Sequence, residues 1–253
     1  MTADTRDRLL SVASPVALFA VWEIAARFHL IDTHFFPAPS SIAGTFGTMV
    51  ADGTLLSNTL TTLERLALGI LAGGVPALLI GLAMGLYRPV YALVDPLISA
   101  TYPIPKSAIL PLILLVFGLG EASKVAMVAI GMFFPVVINT AAGVRQIDPM
   151  YFDVGRNFGA RGWAVFRTIA FPGALPVIMT GIKLGVGLGL ILIAIAEMVG
   201  AQSGLGFLIW NAWQILQVNQ MYVGLITIAV IGFVLTVLLN EIERLLIPSR
   251  TRR

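Results

Sequence analysis

The chain has 253 residues, of which 58% are hydrophobic and 11% charged, with a formal net charge of +3. Soluble domains carry about a quarter charged residues, so a water-soluble globular enzyme is excluded, and so much apolar surface excludes disorder. Cysteine is absent, which removes disulfides, thiolate metal sites and cysteine nucleophiles.

Taken in chain order, the uncharged stretches predict an all-α, polytopic membrane bundle of about six transmembrane helices. The first covers residues 9–22 and extends past Glu23 to Phe28. No small-x-small cleavage site follows it, so it reads as a retained helix rather than a signal peptide. His29 and His34 come next, at a spacing that does not suit metal ligands on one helical face, and read as loop histidines. The loop from His29 to Thr62 contains Phe35-Phe36-Pro37-Ala38-Pro39-Ser40, an extended turn after which Ser40 caps a short helix. Residues 66–86 form the second span, and residues 107–120, led by the proline-broken 97–105, the third. Pro103, Pro105 and Pro111 predict a bent or partly re-entrant third span. Residues 125–144, 173–196 and 222–240 complete the set, with Trp210 and Trp213 in the last connecting loop.

Lys and Arg set the orientation. With the N-terminus inside, the inner segments hold Arg6, Arg8, Arg88, Arg145, Arg156, Arg161, Arg167, Arg244, Arg250, Arg252 and Arg253, while the outer ones hold Arg27, Arg65 and Lys124. This bias predicts that both termini are cytoplasmic, and it accounts for the basic excess without nucleic acid.

The segment between the fourth and fifth spans carries the strongest local signal. Asp148-Pro149 is a helix start, with a capping carboxylate and proline at the first helical position. Tyr151, Val154 with Gly155, and Phe158 share a face at helical spacing, and Gly159 and Gly162 then interrupt the helix. A second apolar face resumes at Val165, Phe166 and Ile169 before Pro172. Such a hairpin suits docking to another protein or lying on lipid headgroups equally well.

Within the fifth span, Gly181, Gly185 and Gly189 form a smooth stripe that lets helices approach closely. Lys183 lies in the inner half of that span, open between a translocation-path role and a buried pair. Glu197 lies about 21 Å further along the helix, at the outer end, where it can snorkel and suits a gate or loop anchor better than a substrate contact. With Lys106, Lys183 would give a positive pathway for an anion.

The 145–172 loop resembles the signature of type I ABC importer permeases: Glu-Ala-Ala, three residues, Gly, nine residues, Ile, one residue, Leu-Pro. Asp153-Val154-Gly155 stands for the first triplet, Gly159, Ile169 and Pro172 are identical, and Phe171 replaces the leucine. Pro37-Ala38-Pro39-Ser40, Pro103-Ile104-Pro105-Lys106, Ala196-Glu197-Met198-Val199-Gly200 and Ser203-Gly204-Leu205-Gly206 are similar to the nitrate/sulfonate/taurine/bicarbonate branch. The resemblance implies a MetI-like fold, with residues 1–56 as tail, first helix and outer loop, 57–243 as the permease core, and 244–253 as a basic tail. It implies a multi-pass permease in a bacterial plasma membrane, importing a small anionic solute by alternating access. Its partners would be ABC ATPase subunits holding ATP and Mg, an extracytoplasmic solute-binding protein, a second permease copy and membrane lipid. Tyr151, Asp153, Phe158 and Gly159 would dock the ATPase, with Ile169 and Pro172 completing the loop. The same branch also implies an alternative cargo, a neutral or cationic precursor such as a thiamine pyrimidine.

The chain itself is expected to be no enzyme and to hold no cofactor or metal. It lacks a phosphate-binding Gly-x-x-x-x-Gly-Lys-Ser/Thr, since the string from Gly118 to Lys124 has no glycine before its lysine. A secondary transporter would need internal repeats with paired broken helices, and a membrane enzyme clustered carboxylates or histidines. The sequence offers neither.

Overall fold

Apolar stretches of this length satisfy their backbone groups in lipid only as helices, and the computed structural model, which describes residues 3–247, contains no strand among them. Arg250, Arg252 and Arg253 of the basic tail lie outside the described residues, as do the side chains of Arg6 and Arg8. In order come α1 (Ala3–Arg27), α2 (Pro39–Ala51), α3 (Thr54–Leu86), α4 (Arg88–Thr101), α5 (Leu110–Phe117), α6 (Glu121–Arg145), α7 (Pro149–Asn157), α8 (Trp163–Val165), α9 (Phe171–Met198), α10 (Leu205–Gln214) and α11 (Val218–Leu246). Among the described residues, four helices are long and apolar enough to cross a membrane: α3, α6, α11 and the run Trp163–Met198 that contains α9. A fifth span is the broken pair Arg88–Thr101 and Lys106–Phe117, bent by 87°. With the 25-residue α1, these agree with the expected bundle of about six.

The centre is α3 and α9 packed on either side of α6. Ala77 and Met84 of α3 meet Met132, Val136 and Val137 of α6 and Val186 of α9 in one buried cluster. Close approach explains the glycine stripe of α9: a Cβ on Gly181 would lie 2.7 Å from Asn139 Cβ, and one on Gly185 2.6 Å from Met132 Sδ. A second stripe, Gly69, Gly73, Gly81 and Gly85, runs along α3. A Cβ on Gly81 would lie 2.6 Å from Thr140 Cβ, so α3 and α6 also meet backbone to backbone there.

The proline-rich third span breaks as expected. A short 3₁₀ turn, Lys106–Ile109, joins its arms, and Pro111 opens α5. At the start of α9, Pro172 has no N–H to give and its ring crowds the carbonyl four residues back. The chain answers with a π turn over Phe166–Ala170, where the Phe171 N–H donates to Phe166 O.

Two local expectations need correction. Ser40 does not cap α2; Ala38 is the cap residue, without a side-chain bond. Ser40 instead gives its N–H (2.9 Å) and hydroxyl (2.7 Å) to Glu23 of α1, so a carboxylate from another helix serves the α2 terminus. Trp210 and Trp213 lie not in a loop but on α10, their ring centroids 4.8 Å apart. The opposite face of α10, Leu205 and Leu208, packs with Ile42 and Met49 of α2 and Val223 of α11.

Candidate functional site

One end of the bundle carries the α7–α8 hairpin. Asp148 accepts from the Met150 N–H at 2.9 Å and starts α7, and Pro149 follows it. At the other terminus the Gly159 N–H bonds Arg156 O (2.9 Å) and the Ala160 N–H bonds Gly155 O (2.9 Å). That is a Schellman stop, and it needs the positive φ that Gly159 supplies at +80°. The turn closes through Gly162, φ +48°.

The faces of α7 differ from the expected ones. Gly155 does not join Tyr151, Val154 and Phe158; it faces Ile169, whose Cδ1 would lie 2.5 Å from an added Cβ. Phe152 packs beside the cluster of Leu82, Val144, Ala170 and Ala174, which fastens α7 to the bases of α3, α6 and α9. The outward face is Met150, Tyr151, Val154 and Phe158, the last 88% exposed. Asp153 sits beside this face, 3.5 Å from Arg156, both largely in solvent. Pro172 sits past the π turn in the first turn of α9.

At the opposite end, Glu197 does not snorkel: it is wholly buried. Its carboxylate accepts from Arg65 Nη1 (2.9 Å), from the Thr62 hydroxyl (2.9 Å) and from the Gly206 N–H (2.9 Å). Arg65 and Lys124, assigned to outer segments from the sequence, lie on α3 and α6 and are buried too. Arg65 forks onto Glu121 with Nε (2.5 Å) and Nη2 (2.6 Å), and bonds the carbonyl and hydroxyl of Ser203 at 2.8 and 3.1 Å. Lys124 donates to Leu119 O and to Gly200 O. The Thr62 hydroxyl accepts the Leu205 N–H (2.8 Å), and Asn58 accepts the Gly204 N–H (2.7 Å).

This wrapping explains the glycines in the Ser203–Gly206 motif. A Cβ on Gly204 would strike the Glu197 carboxylate, and one on Gly206 would lie 2.7 Å from Glu197 Cβ. The network was missed because Arg65 and Glu197 are 132 residues apart. A signal existed: Asn58, Thr62 and Arg65 are polar residues at spacings of four and three in an apolar helix.

Lys183 and Lys106 also have partners. Lys183 of α9 bonds Asn240 Oδ1 at 2.5 Å and pairs with Glu243, both on α11. Lys106 directs its ammonium at three carbonyls of the break, Thr101 (3.0 Å), Tyr102 (2.9 Å) and Ile104 (3.0 Å). It lies 3.9 Å from the Phe134 ring centroid. An ammonium has three N–H groups, so those of Lys106 are all engaged, and no carboxylate among the described residues pairs with it. The structure therefore does not gather Lys106, Lys183 and Glu197 into one site; each ties a different pair of segments.

Residues 67–252 match the family described as binding-protein-dependent transport system inner membrane component. Over 251 residues the chain is 34% identical to the taurine transport system permease protein TauC of Escherichia coli K12, covering 96% of this chain and 90% of that protein. It is 35% identical over 248 residues to the putative aliphatic sulfonates transport permease protein SsuC of the same organism, covering 97% and 94%. It is 31% identical over 191 residues to the nitrate import permease protein NrtB of a Synechocystis strain, covering 76% and 70%. The hairpin, the broken span and the matched length converge: the chain belongs to the family of binding-protein-dependent inner membrane components, the multi-pass permease subunits of ABC importers.

Proposed function

We propose that the chain brings a small oxyanion of the sulfonate or nitrate kind into the cytoplasm, driven by a separate ATPase that holds ATP and Mg and grips α7. The carrying observation is the outward apolar face of Met150, Tyr151, Val154 and Phe158, held on a hairpin fastened to the bundle through Phe152 and Gly155. An apolar face that juts from a bundle calls for a protein cover. Asp153 at its edge supplies a charge for orienting the partner. Gly159, Ile169 and Pro172 then shape the hairpin, its seat and its joint with α9. The arginine bias puts both termini and the hairpin in the cytoplasm, and a solute-binding protein delivers cargo to the Glu197 end. A second copy of the chain completes the path; α11, most of whose apolar length is unburied, has surface for that copy and for lipid.

The anionic cargo is favoured by the relatives, whose names specify taurine, aliphatic sulfonates and nitrate. Lys106 agrees with this reading. Its hydrogen bonds are used on carbonyls, so it acts on a passing anion through its uncancelled charge rather than as a ligand. Lys183 and Glu197, cancelled by Glu243 and Arg65, serve as ties between segments. Residues 57–243 form the working core. The test is uptake of labelled taurine, methanesulfonate and nitrate by cells carrying the complete transporter, with the intact chain or a Tyr151→Ala/Phe158→Ala double variant. The double variant should reach the membrane normally and lose about tenfold or more of its uptake, as for loss of interface anchors of about 2 kcal/mol. Full uptake by the double variant removes the docking role, and transport of none of the three anions removes the cargo class.

A further inference from the structure

A cavity of about 720 Å³ lies on the inner side of the hairpin, between it and the bundle, within the size range of small-ligand sites. Its walls come from the end of α3 (Gly85, Leu86), the end of α6 (Val144, Arg145) and the inward side of the hairpin (Phe152, Val165). Its charged lining is Arg145, Arg156, Arg161 and the lone carboxylate Asp153. Asp153 faces Arg156 at 3.5 Å, which leaves Arg145 and Arg161 uncancelled. Arg145 is stacked on the Tyr91 ring, 3.8 Å from its centroid, and this fixes the guanidinium plane without using its N–H groups. The Arg161 side chain has no hydrogen bond or ion pair among the described residues. A neighbouring hollow of about 560 Å³ shares Gly85, Leu86 and Arg145 and adds Arg88. A third shares Tyr91 and Arg145 and adds Asp95. Counted across all three hollows, the arginines still outnumber the aspartates.

We propose that this cavity is a binding site for a phosphate-class oxyanion, held between Arg145 and Arg161 beneath the coupling hairpin. Guanidinium groups present paired N–H donors that match such an anion. Two sources offer the same chemistry: the headgroup of an anionic phospholipid, which the position at the ends of the spans favours, and a free oxyanion. Either would clamp the turn of the hairpin to the end of α6, stiffening the element that the ATPase moves. The proposal stands on the cavity alone and does not depend on which solute is carried.

The full chain in detergent is titrated by calorimetry with dioctanoyl phosphatidylglycerol, dioctanoyl phosphatidylcholine and inorganic phosphate. Saturable binding of phosphatidylglycerol but not of phosphate assigns the site to a lipid headgroup; binding of both assigns it to a free oxyanion. Arg145→Gln/Arg161→Gln should weaken the binding at least about tenfold, since each charge-assisted bond is worth more than 1.4 kcal/mol. Arg161→Gln alone, which breaks no side-chain hydrogen bond or ion pair among the described residues, should weaken it in the same direction. Arg27→Gln at the opposite end should leave it unchanged. Binding of no anionic probe, equal binding of phosphatidylcholine, or undiminished binding by the double variant overturns the proposal.

Discussion

Arg65 illustrates how much one residue can organise. A guanidinium has five N–H donors, and here they meet Glu121 through two bonds, Ser203 through two and Glu197 through one. The two carboxylates differ in setting: the Glu197 side chain is fully buried, while that of Glu121 is 68% exposed. Breaking a buried pair leaves an uncompensated charge and costs about 3–5 kcal/mol, whereas a pair with an exposed partner is worth about 0–1 kcal/mol. Glu197→Gln should therefore lower the unfolding midpoint of the detergent-solubilised chain far more than Glu121→Gln. Equal shifts would show that Glu197 is not the anchor of the loop that covers it. Sequence reasoning singled out Glu197 but not its partner, because ion pairing between helices is decided by packing and leaves no local pattern. Lys106 is similar: the prolines announced the break, but not that its free carbonyls would converge on that ammonium.

At the scale of elements, periodicity carried what is local. The Asp148-Pro149 start, the Gly159 stop and the small stripe on α9 each depend on residues a few positions apart, and each was legible. What was not legible is which residues of α7 turn inward, since Gly155 is required to be small only because Ile169 arrives from the next turn of chain. The same logic separates two glycines of α9. A side chain at Gly185 meets Met132, while at Gly187 nothing lies within 4 Å. Gly185→Leu should cost more than the roughly 1–3 kcal/mol of ordinary overpacking, because the obstruction includes α6 backbone, whose Met132 O would lie 3.2 Å from the first added carbon. Gly187→Leu should be tolerated, as it fills open space and removes a flexible residue from a helix. Size-exclusion profiles and thermal midpoints of the two variants decide the matter. Comparable losses would mean that the stripe does not set the distance between α6 and α9.

Over the whole molecule, α9 joins the two ends. Its 28 residues span about 42 Å, from the π turn beneath the hairpin to the Glu197 network. A displacement imposed on α7 thus has a rigid route, through Ile169 and α9, to the loop that closes over Glu197, which is the kind of coupled arrangement that alternating access requires. The distribution of arginines predicts the direction of that route across the membrane, and the absence of cysteine makes it directly measurable. A single Phe158→Cys places one thiol on the exposed tip of α7, and a single His34→Cys places one on the exposed loop at the other end. A membrane-impermeant maleimide should label the His34→Cys chain in intact spheroplasts and the Phe158→Cys chain only in inverted vesicles. The reverse pattern would place the hairpin outside, beyond reach of any cytoplasmic ATPase, so that the outward apolar face would need a different cover. Labelling of Phe158→Cys in inverted vesicles should also fall when the ATPase is bound, because a docked partner buries the tip. That second readout separates orientation from docking: a correctly oriented thiol that stays equally reactive with the ATPase present would leave the topology standing and remove α7 as the grip.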